Sequence, residues 1–417
     1  MSKQIGSFAP IGLLKKWSNG RIKMNAIMCP GFKAAGIASG LKKNDQKDLG
    51  LIYSEVPANV AGVFTKNRVK AAPVLLDMEL VKSGRCQAVI VNSGNANCCN
   101  GEQGLRDAKT MAHLAASELG ISNELVFVAS TGVIGEPLPI EKIKTAVPDL
   151  VKSLQPEGIP DLARSIMTTD SVPKTALAQG VVEGRTFTIT GVAKGAGMIR
   201  PDMATMLCFV CTDIEASPDI LKETLVKAAD RSFNRVTIDG DTSTNDTVMV
   251  MANGMSGAVI DSLVHKNIFQ KVLDEILLNL AKQVVRDGEG VTKLVEVVVQ
   301  GAVSDADARK VADTVAHSPL VKTSFFGEDA NWGRIVGAVG RAGAKVNPDN
   351  LDVYFDDVQM VKAGMGCGKA VEAEATKVLR KPEFVVTIDL NMGRGSDLIY
   401  TCDFSVDYVK INADYRS

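Results

Sequence analysis

The sequence predicts a mixed α/β (α+β) protein in two lobes, with sheets packed against helices. Three observations predict it: stretches rich in β-branched residues alternate with stretches of helical apolar spacing; 46% of residues are apolar, enough for a large core; and 417 residues exceed the ~250–300 at which one hydrophobic core stops growing. Residues 88–92, 126–130 and 186–193 read as strands, whereas 105–119 carry helix-type spacing that stops at Gly120. Ser217-Pro218 is an N-cap followed by proline at the first helical position, after which Leu221, Leu225 and Ala228 mark one face. A second helix is expected over 263–285, with Ile268, Val272, Ile276 and Leu280 inward. Strands follow at 293–299, 384–390 and 398–404, and the polar turn Gly301 to Ser304 is where composition places a lobe boundary.

Composition narrows the class of partner. A net charge of −1 gives no electrostatic case for nucleic acid or an anionic membrane surface. Eight cysteines in a chain this long make no disulfide framework, and neither Cys98-Cys99 nor Cys208-Phe-Val-Cys211 completes a zinc set. The second pair lies in an apolar run and reads as buried strand. No apolar run approaches the ~20 residues that span a bilayer, so a cytoplasmic protein is expected. Residues 1–23 carry Lys3, Lys15, Lys16, Arg21 and Lys23 with no acid; they read as an N-terminal extension or an upstream start ahead of Met24, with organelle targeting as the alternative.

The chemistry-bearing stretch is Lys194-Gly-Ala-Gly-Met-Ile-Arg-Pro-Asp-Met-Ala-Thr205. A threonine after a turn-prone, glycine-rich segment can attack its own preceding carbonyl. Addition of Thr205 Oγ to the Ala204 carbonyl converts the peptide to an ester, and water then splits the chain. The new N-terminus carries its own base, because a free α-amine has a pKa of about 7.7–8.0. Such an N-terminal nucleophile needs neither histidine nor metal.

That stretch resembles the self-cleaving motif of the ornithine acetyltransferases, the bifunctional glutamate N-acetyltransferases of arginine biosynthesis. The resemblance recurs in order through Cys29-Pro-Gly-Phe-Lys-Ala-Ala-Gly-Ile37, Val91-Asn-Ser-Gly-Asn-Ala-Asn97, Ser130-Thr-Gly-Val-Ile-Gly135, Ile166-Met-Thr-Thr-Asp170, Asp239-Gly-Asp-Thr-Ser-Thr-Asn-Asp246, Asp287-Gly-Glu-Gly290 and Asn331-Trp-Gly-Arg-Ile335. It implies cleavage between Ala204 and Thr205 into an α chain (residues 24–204, behind the extension) and a β chain (205–417), two of each pairing. It also implies an oxyanion hole from the Thr131 hydroxyl and the Gly132 N–H, and a substrate site of Thr168, Lys194, Thr205, Glu289, Asn412 and Ser417. The implied substrates are N-acetylornithine and glutamate in a ping-pong reaction without cofactor or metal, and some members also take acetyl-CoA as donor. Elementary chemistry agrees with several roles: Lys194 suits a carboxylate, Glu289 an ammonium, and a Thr-Gly pair at a strand end lets a backbone donor approach closely.

Other motifs drop out. Asp239 to Asp246 lacks the glycine and glutamate of a calcium loop, having Thr244 and Val250 at those positions, and reads as a hydrogen-bonded turn. Gly366-Cys-Gly-Lys369 lacks the first glycine of a phosphate loop, where Ala363 stands. His113, His265 and His317 show no Ser or Asp partner pattern, which argues against a histidine-dependent triad. Ala196, where serine is frequent, and Arg200 to Asp202 depart from the commonest motif without touching the hydroxyl chemistry. Two other classes remain: a self-cleaving amidase or aminopeptidase that releases the acyl group to water, and a non-catalytic scaffold. Gly132→Val is expected to keep the fold and slow the chemistry about 10²-fold, the scale of losing one oxyanion donor.

Overall fold

One long strand organises the first lobe of the computed structural model, which describes residues 29–200 and 206–414. Strand β2 (Leu49–Phe64) pairs with β1 (Phe32–Ile37) and β8 (Thr247–Ala252) at its two ends along one edge and with β3 (Arg85–Asn95) along the other, bending at an irregularity between Tyr53 and Ala58. The sheet runs β4-β3-β2-β8-β7-β6-β5, completed by β4 (Val126–Val133), β5 (Lys174–Val182), β6 (Arg185–Lys194) and β7 (Leu207–Thr212). β3 with β4 and β7 with β8 are parallel. The remaining pairs are antiparallel.

Both faces of this sheet are covered. Helices α1 (Ala72–Leu80), α2 (Gly101–Leu119), α3 (Ile140–Lys152) and α4 (Ile159–Ser165) fall in the first half of the chain, and α5 (Pro218–Asp230) and α6 (Leu263–Arg286) follow β7 and β8. Met111, Ala112 and Ala115 of α2 pack with Ile143 and Val147 of α3 on Leu49, Ile90 and Val128. Elsewhere Leu221 and Leu225 of α5 join Leu273, Ile276 and Leu280 of α6 over Ile189, Cys208 and Val210. The helix signals in the sequence have their physical counterparts: Ser217 accepts a hydrogen bond from Ile220 N (3.4 Å), Ser262 from His265 N (3.2 Å), and Gly120 ends α2 at φ +67°. Of the four residues expected inward on α6, Val272, Ile276 and Leu280 are buried and Ile268 is half-buried.

Strand β7 is buried along its whole length, and its period of two sends Leu207, Phe209 and Cys211 into one cluster and Cys208 and Val210 into another. Cys208 and Cys211 therefore face opposite sides of the sheet and cannot form a dithiol pair.

The second lobe is a six-stranded sheet, β12-β11-β10-β13-β9-β14, made of β9 (Leu294–Ala302), β10 (Asp352–Phe355), β11 (Val358–Lys362), β12 (Met365–Gly366), β13 (Glu383–Asp389) and β14 (Gly395–Cys402). Helices α7 (Asp305–Ala316), α8 (Pro319–Phe326), α9 (Trp332–Gly340) and α10 (Lys369–Leu379) supply its own core with Val311, Phe325, Ile335 and Leu379, and α11 (Val406–Asp414) returns to the first lobe. The boundary near Gly301 to Ser304 is thereby corrected. Ser304 caps α7, accepting from Asp307 N, and α7 packs on β9 and β14, so that turn lies inside the second lobe. The sheets divide between α6 and β9, where Asp403 accepts from Thr292 N (2.9 Å) and Lys293 N (3.0 Å) and ends β14 two residues before the expected limit.

Among the described residues no helix is long and apolar enough to cross a membrane. Helix α6 packs closely on β6 at Gly191, where an added Cβ would lie 2.8 Å from Leu280 Cδ1. Leu280→Ala should remove about 2–5 kcal/mol of stability, read as a lower urea midpoint at unchanged slope.

Candidate active site

Parallel strands β3 and β4 end side by side, Ser93 opposite Thr131 and Gly94 opposite Gly132. Gly132 has φ +132°, and a Cβ there would sit 2.4 Å from the Gly94 carbonyl carbon and 2.5 Å from Asn95 N. Glycine is required because two backbones meet. This corrects the expectation for Gly132→Val: the variant must push β3 and β4 apart, so it does not isolate one hydrogen-bond donor. The strand ends are tied by Asn245, whose Nδ2 donates to Ala96 O and Ser130 O (both 2.8 Å), and by Ser130 Oγ, which donates to Asn92 Oδ1 (2.6 Å).

Lys194, the last residue of β6, is 4% exposed and donates to Thr168 Oγ1 (2.7 Å) and Thr131 Oγ1 (3.3 Å). Burial pushes its ammonium down from the ordinary lysine range against the attraction of Asp170, whose Oδ2 lies 3.9 Å away. Asp170 in turn accepts from Thr168 N (2.9 Å) and Gly195 N (2.7 Å). Burial opposes ionisation of that carboxyl, yet Lys194 and Lys174 hold it below the usual carboxylate range.

The glycine-rich segment after Lys194 lies on the turn that follows α6. Glu289 N donates to Ala196 O (2.9 Å), and a Cβ on Gly197 would come within 2.6 Å of the Glu289 carboxylate. Glu289 accepts from Asn412 Nδ2 (2.7 Å), which α11 carries across the junction while Ser405 Oγ donates to Gly290 O (2.6 Å). Asp239 accepts from Met198 N (2.6 Å), Ile199 N (2.9 Å) and the Tyr408 hydroxyl (3.4 Å), and burial raises its carboxyl above the usual range. The Asp239 to Asp246 stretch is thus a hydrogen-bonded turn that caps the segment leading to residue 200.

These pieces line a cavity of about 170 Å³ that includes Ala96, Thr131, Gly132, Ile134, Thr168, Lys194, Glu289 and Asn412. Drug-sized sites run to ~300–1,000 Å³, so this volume suits a ligand of amino-acid size. The arrangement offers a cation, a carboxylate, two hydroxyls and a strand-end N–H to one small molecule. Because Lys194 occupies a lone pair of Thr131 Oγ1, the Thr131 hydroxyl hydrogen is left free to be donated to a developing oxyanion. Ala204, Thr205, Ser417 and the leader 1–23 lie outside the described residues. Met206, immediately after, donates its N–H to Asp246 Oδ1 (3.0 Å), and burial drives the Asp246 carboxyl well above its usual range.

Sequence reading missed Asp170, Asp239, Asn245 and Asp246 as working parts. One signal was present: Asn245 and Asp246 run directly into the wholly buried strand β8, and polar residues entering such a strand must be paired. The histidine reading also needs correction: His265 Nδ1 lies 2.8 Å from Asp261 Oδ1, away from the cavity, and His317 has polar partners as well. Its Nε2 lies 2.9 Å from Thr237 Oγ1 and its Nδ1 2.7 Å from Asp313 O, yet Thr237 is fully buried and its hydroxyl also lies 3.0 Å from Ile199 O, so this trio braces the segment and does not line the cavity. Among the described residues no cluster of three or more His, Cys, Asp or Glu could hold a metal ion. Asp239→Ala should strand two backbone N–H groups and cost about 1–3 kcal/mol per group left unpaired, read by urea unfolding.

The ArgJ family model matches residues 33–417. The chain is 53% identical to the arginine biosynthesis bifunctional protein ArgJ of Geobacter sulfurreducens over 93% of this chain and 99% of that one. It is 52% identical to the protein of the same name from Syntrophotalea carbinolica, over 93% and 99%. A solved ornithine acetyltransferase from Mycobacterium tuberculosis, complexed with ornithine, is 35% identical and covers 44% of this chain and 97% of its own, with a TM-score of 0.39. With a family model spanning nearly the whole chain and relatives above half identity over their full length, the chain belongs to the ArgJ family.

Proposed function

We propose that this chain cuts itself between Ala204 and Thr205 and then moves an acetyl group from N-acetylornithine to glutamate through acetyl-Thr205. Thr205 Oγ adds to the acetyl carbonyl as its proton passes to the Thr205 α-amine. The tetrahedral oxyanion rests between the Thr131 hydroxyl and the Gly132 N–H. Collapse expels the α-amine of ornithine, which takes the proton back. Glutamate's α-amine then attacks the ester carbonyl, and the same groups act in reverse to release N-acetylglutamate and free Thr205. Lys194 and Glu289 recognise the carboxylate and ammonium of the amino acid, with Thr168, Asn412 and Ser417 completing the site. Acetyl-CoA, where used, enters as an alternative acetyl donor; no cofactor or metal takes part. The α and β chains stay together, two of each, in the cytoplasm.

The observation that carries this reading is the Lys194–Thr131 hydrogen bond beside Gly132, within a cavity whose wall includes Glu289. It arranges an oxyanion donor and opposite charges for one small zwitterion. Family membership supports the reaction class.

On a denaturing gel the purified protein should run as two fragments, residues 1–204 and 205–417, and intact mass after exposure to N-acetylornithine should show one acetyl group on the second. Thr205→Ala should run as a single uncut chain without turnover; a processed, active variant defeats the proposal. Thr131→Ala should lower kcat by about 10²–10³ with processing scored separately on the gel. Acetyl transfer should rise with pH through about 7.7–8.0, where an α-amine loses its proton and becomes a base, and should be lost as pH falls below that range. Incubation with acetyl-CoA and glutamate alone separates recycling from net synthesis, and acetate released without an acceptor marks an amidase instead.

A further inference from the structure

Below the cavity lies a buried ionic cluster with no part in the chemistry above. Lys174, at the start of β5, is 1% exposed. Its ammonium donates to Asp170 Oδ1 (2.6 Å), Asp287 Oδ2 (2.5 Å) and Val172 O (3.3 Å). A lysine ammonium has three N–H donors, and all three are used here. Asp287 also accepts from Ser171 N (3.1 Å), Val172 N (3.3 Å) and the Ser171 hydroxyl.

Each carboxylate is the root of a recognition group. Asp170 stands two residues after Thr168 and holds Thr168 N, and it also holds Gly195 N, the residue after Lys194. Asp287 stands two residues before Glu289 on the turn that ends α6. We propose that Lys174 is a positioning residue that fastens together the three backbone segments presenting Thr168, Lys194 and Glu289, and so sets the affinity for the amino-acid ligand. The ligand's identity rests on the function proposed above. Two physical consequences follow. Without Lys174, Asp170 and Asp287 repel, which opens the distance between the cation and the carboxylate that must grip one small molecule. Asp170 also loses its nearest countercharge and is left to draw Lys194 across the 3.9 Å gap, away from Thr168 and Thr131. An arginine keeps the charge, but its planar fork cannot aim three N–H groups at three acceptors converging on one point.

The test is equilibrium binding of ornithine by calorimetry, beside thermal melting, for wild type, Lys174→Met, Lys174→Arg and Ser171→Ala. Lys174→Met and Lys174→Arg should each raise the dissociation constant for ornithine at least tenfold, and Ser171→Ala, which keeps every charge and removes one hydroxyl, about threefold with an unchanged melting temperature. Wild-type affinity in folded Lys174→Met, or its full restoration by arginine, overturns the proposal; the first leaves only a stabilising role and the second only a charge. Should Lys174→Met not fold, an unchanged dissociation constant in Ser171→Ala overturns it equally. A wild-type protein that binds no ornithine also overturns it. Because binding is read without turnover, a wild-type protein that binds ornithine but transfers no acetyl group sinks the reaction proposed above and leaves the fastening measured.

Discussion

The rest of the structure depends on the antiparallel pairing of β6 with β7. Lys194 is registered directly against Leu207, so the chain leaves the sheet at one residue and re-enters beside it. A connection of twelve residues must therefore close on itself next to Lys194, whatever its own conformation. Both strands are buried, β7 on both faces, so the register cannot slip by one residue without turning Phe209 and Cys211 into the opposite layer. The two ends of that connection, and the cation at one of them, are in this way located by the hydrophobic core.

The same pairing explains how a chain severed in that connection would keep its shape. β6 precedes the proposed cut and β7 follows it, and the parallel pair β7 and β8 continues the sheet to β2. Covalent continuity contributes little to an interface of this kind, since hydrogen bonds and buried side chains on both strands remain. Around the cavity the polar groups form a second skeleton. Asp170, Asp239 and Asn245 each satisfy backbone N–H or C=O groups from segments far apart in sequence, which lets irregular backbone be buried without loss of hydrogen bonds.

Much of this was legible in the sequence, for identifiable reasons. α5 and α6 announced themselves through Ser217-Pro218 and through apolar spacing, because capping and periodicity are local properties. β6 and the strand holding Cys208 were read from β-branched and apolar runs for the same reason. Thr131, Gly132, Lys194 and Glu289 stood out through the family resemblance of the motifs that carry them, and Gly132 and Gly197 are glycine since a Cβ would strike the strand opposite or the carboxylate itself. Asp170, Asp239 and Asp246 did not stand out. An aspartate in a polar stretch looks solvated, and only the fold reveals that Asp170 and Asp246 are buried, and Asp239 half-buried, against backbone donors. The misplaced lobe boundary has a similar origin: the polar turn after β9 is a real turn, but which sheet it belongs to is decided by β9 pairing with β13 and β14, eighty or more residues away.

The His317 contact gives the second lobe a say in events it takes no chemical part in. Thr237 has one hydroxyl hydrogen to give, and Ile199 O and His317 Nε2 both lie within reach. Asp313 O already faces the other ring nitrogen. Ile199 O also accepts from Ile238 N (2.9 Å), so the carbonyl stays paired whichever way the threonine turns. Through one imidazole, α7 of the second lobe is thereby tied to residue 199 on the way out of β6, away from the groups that line the cavity.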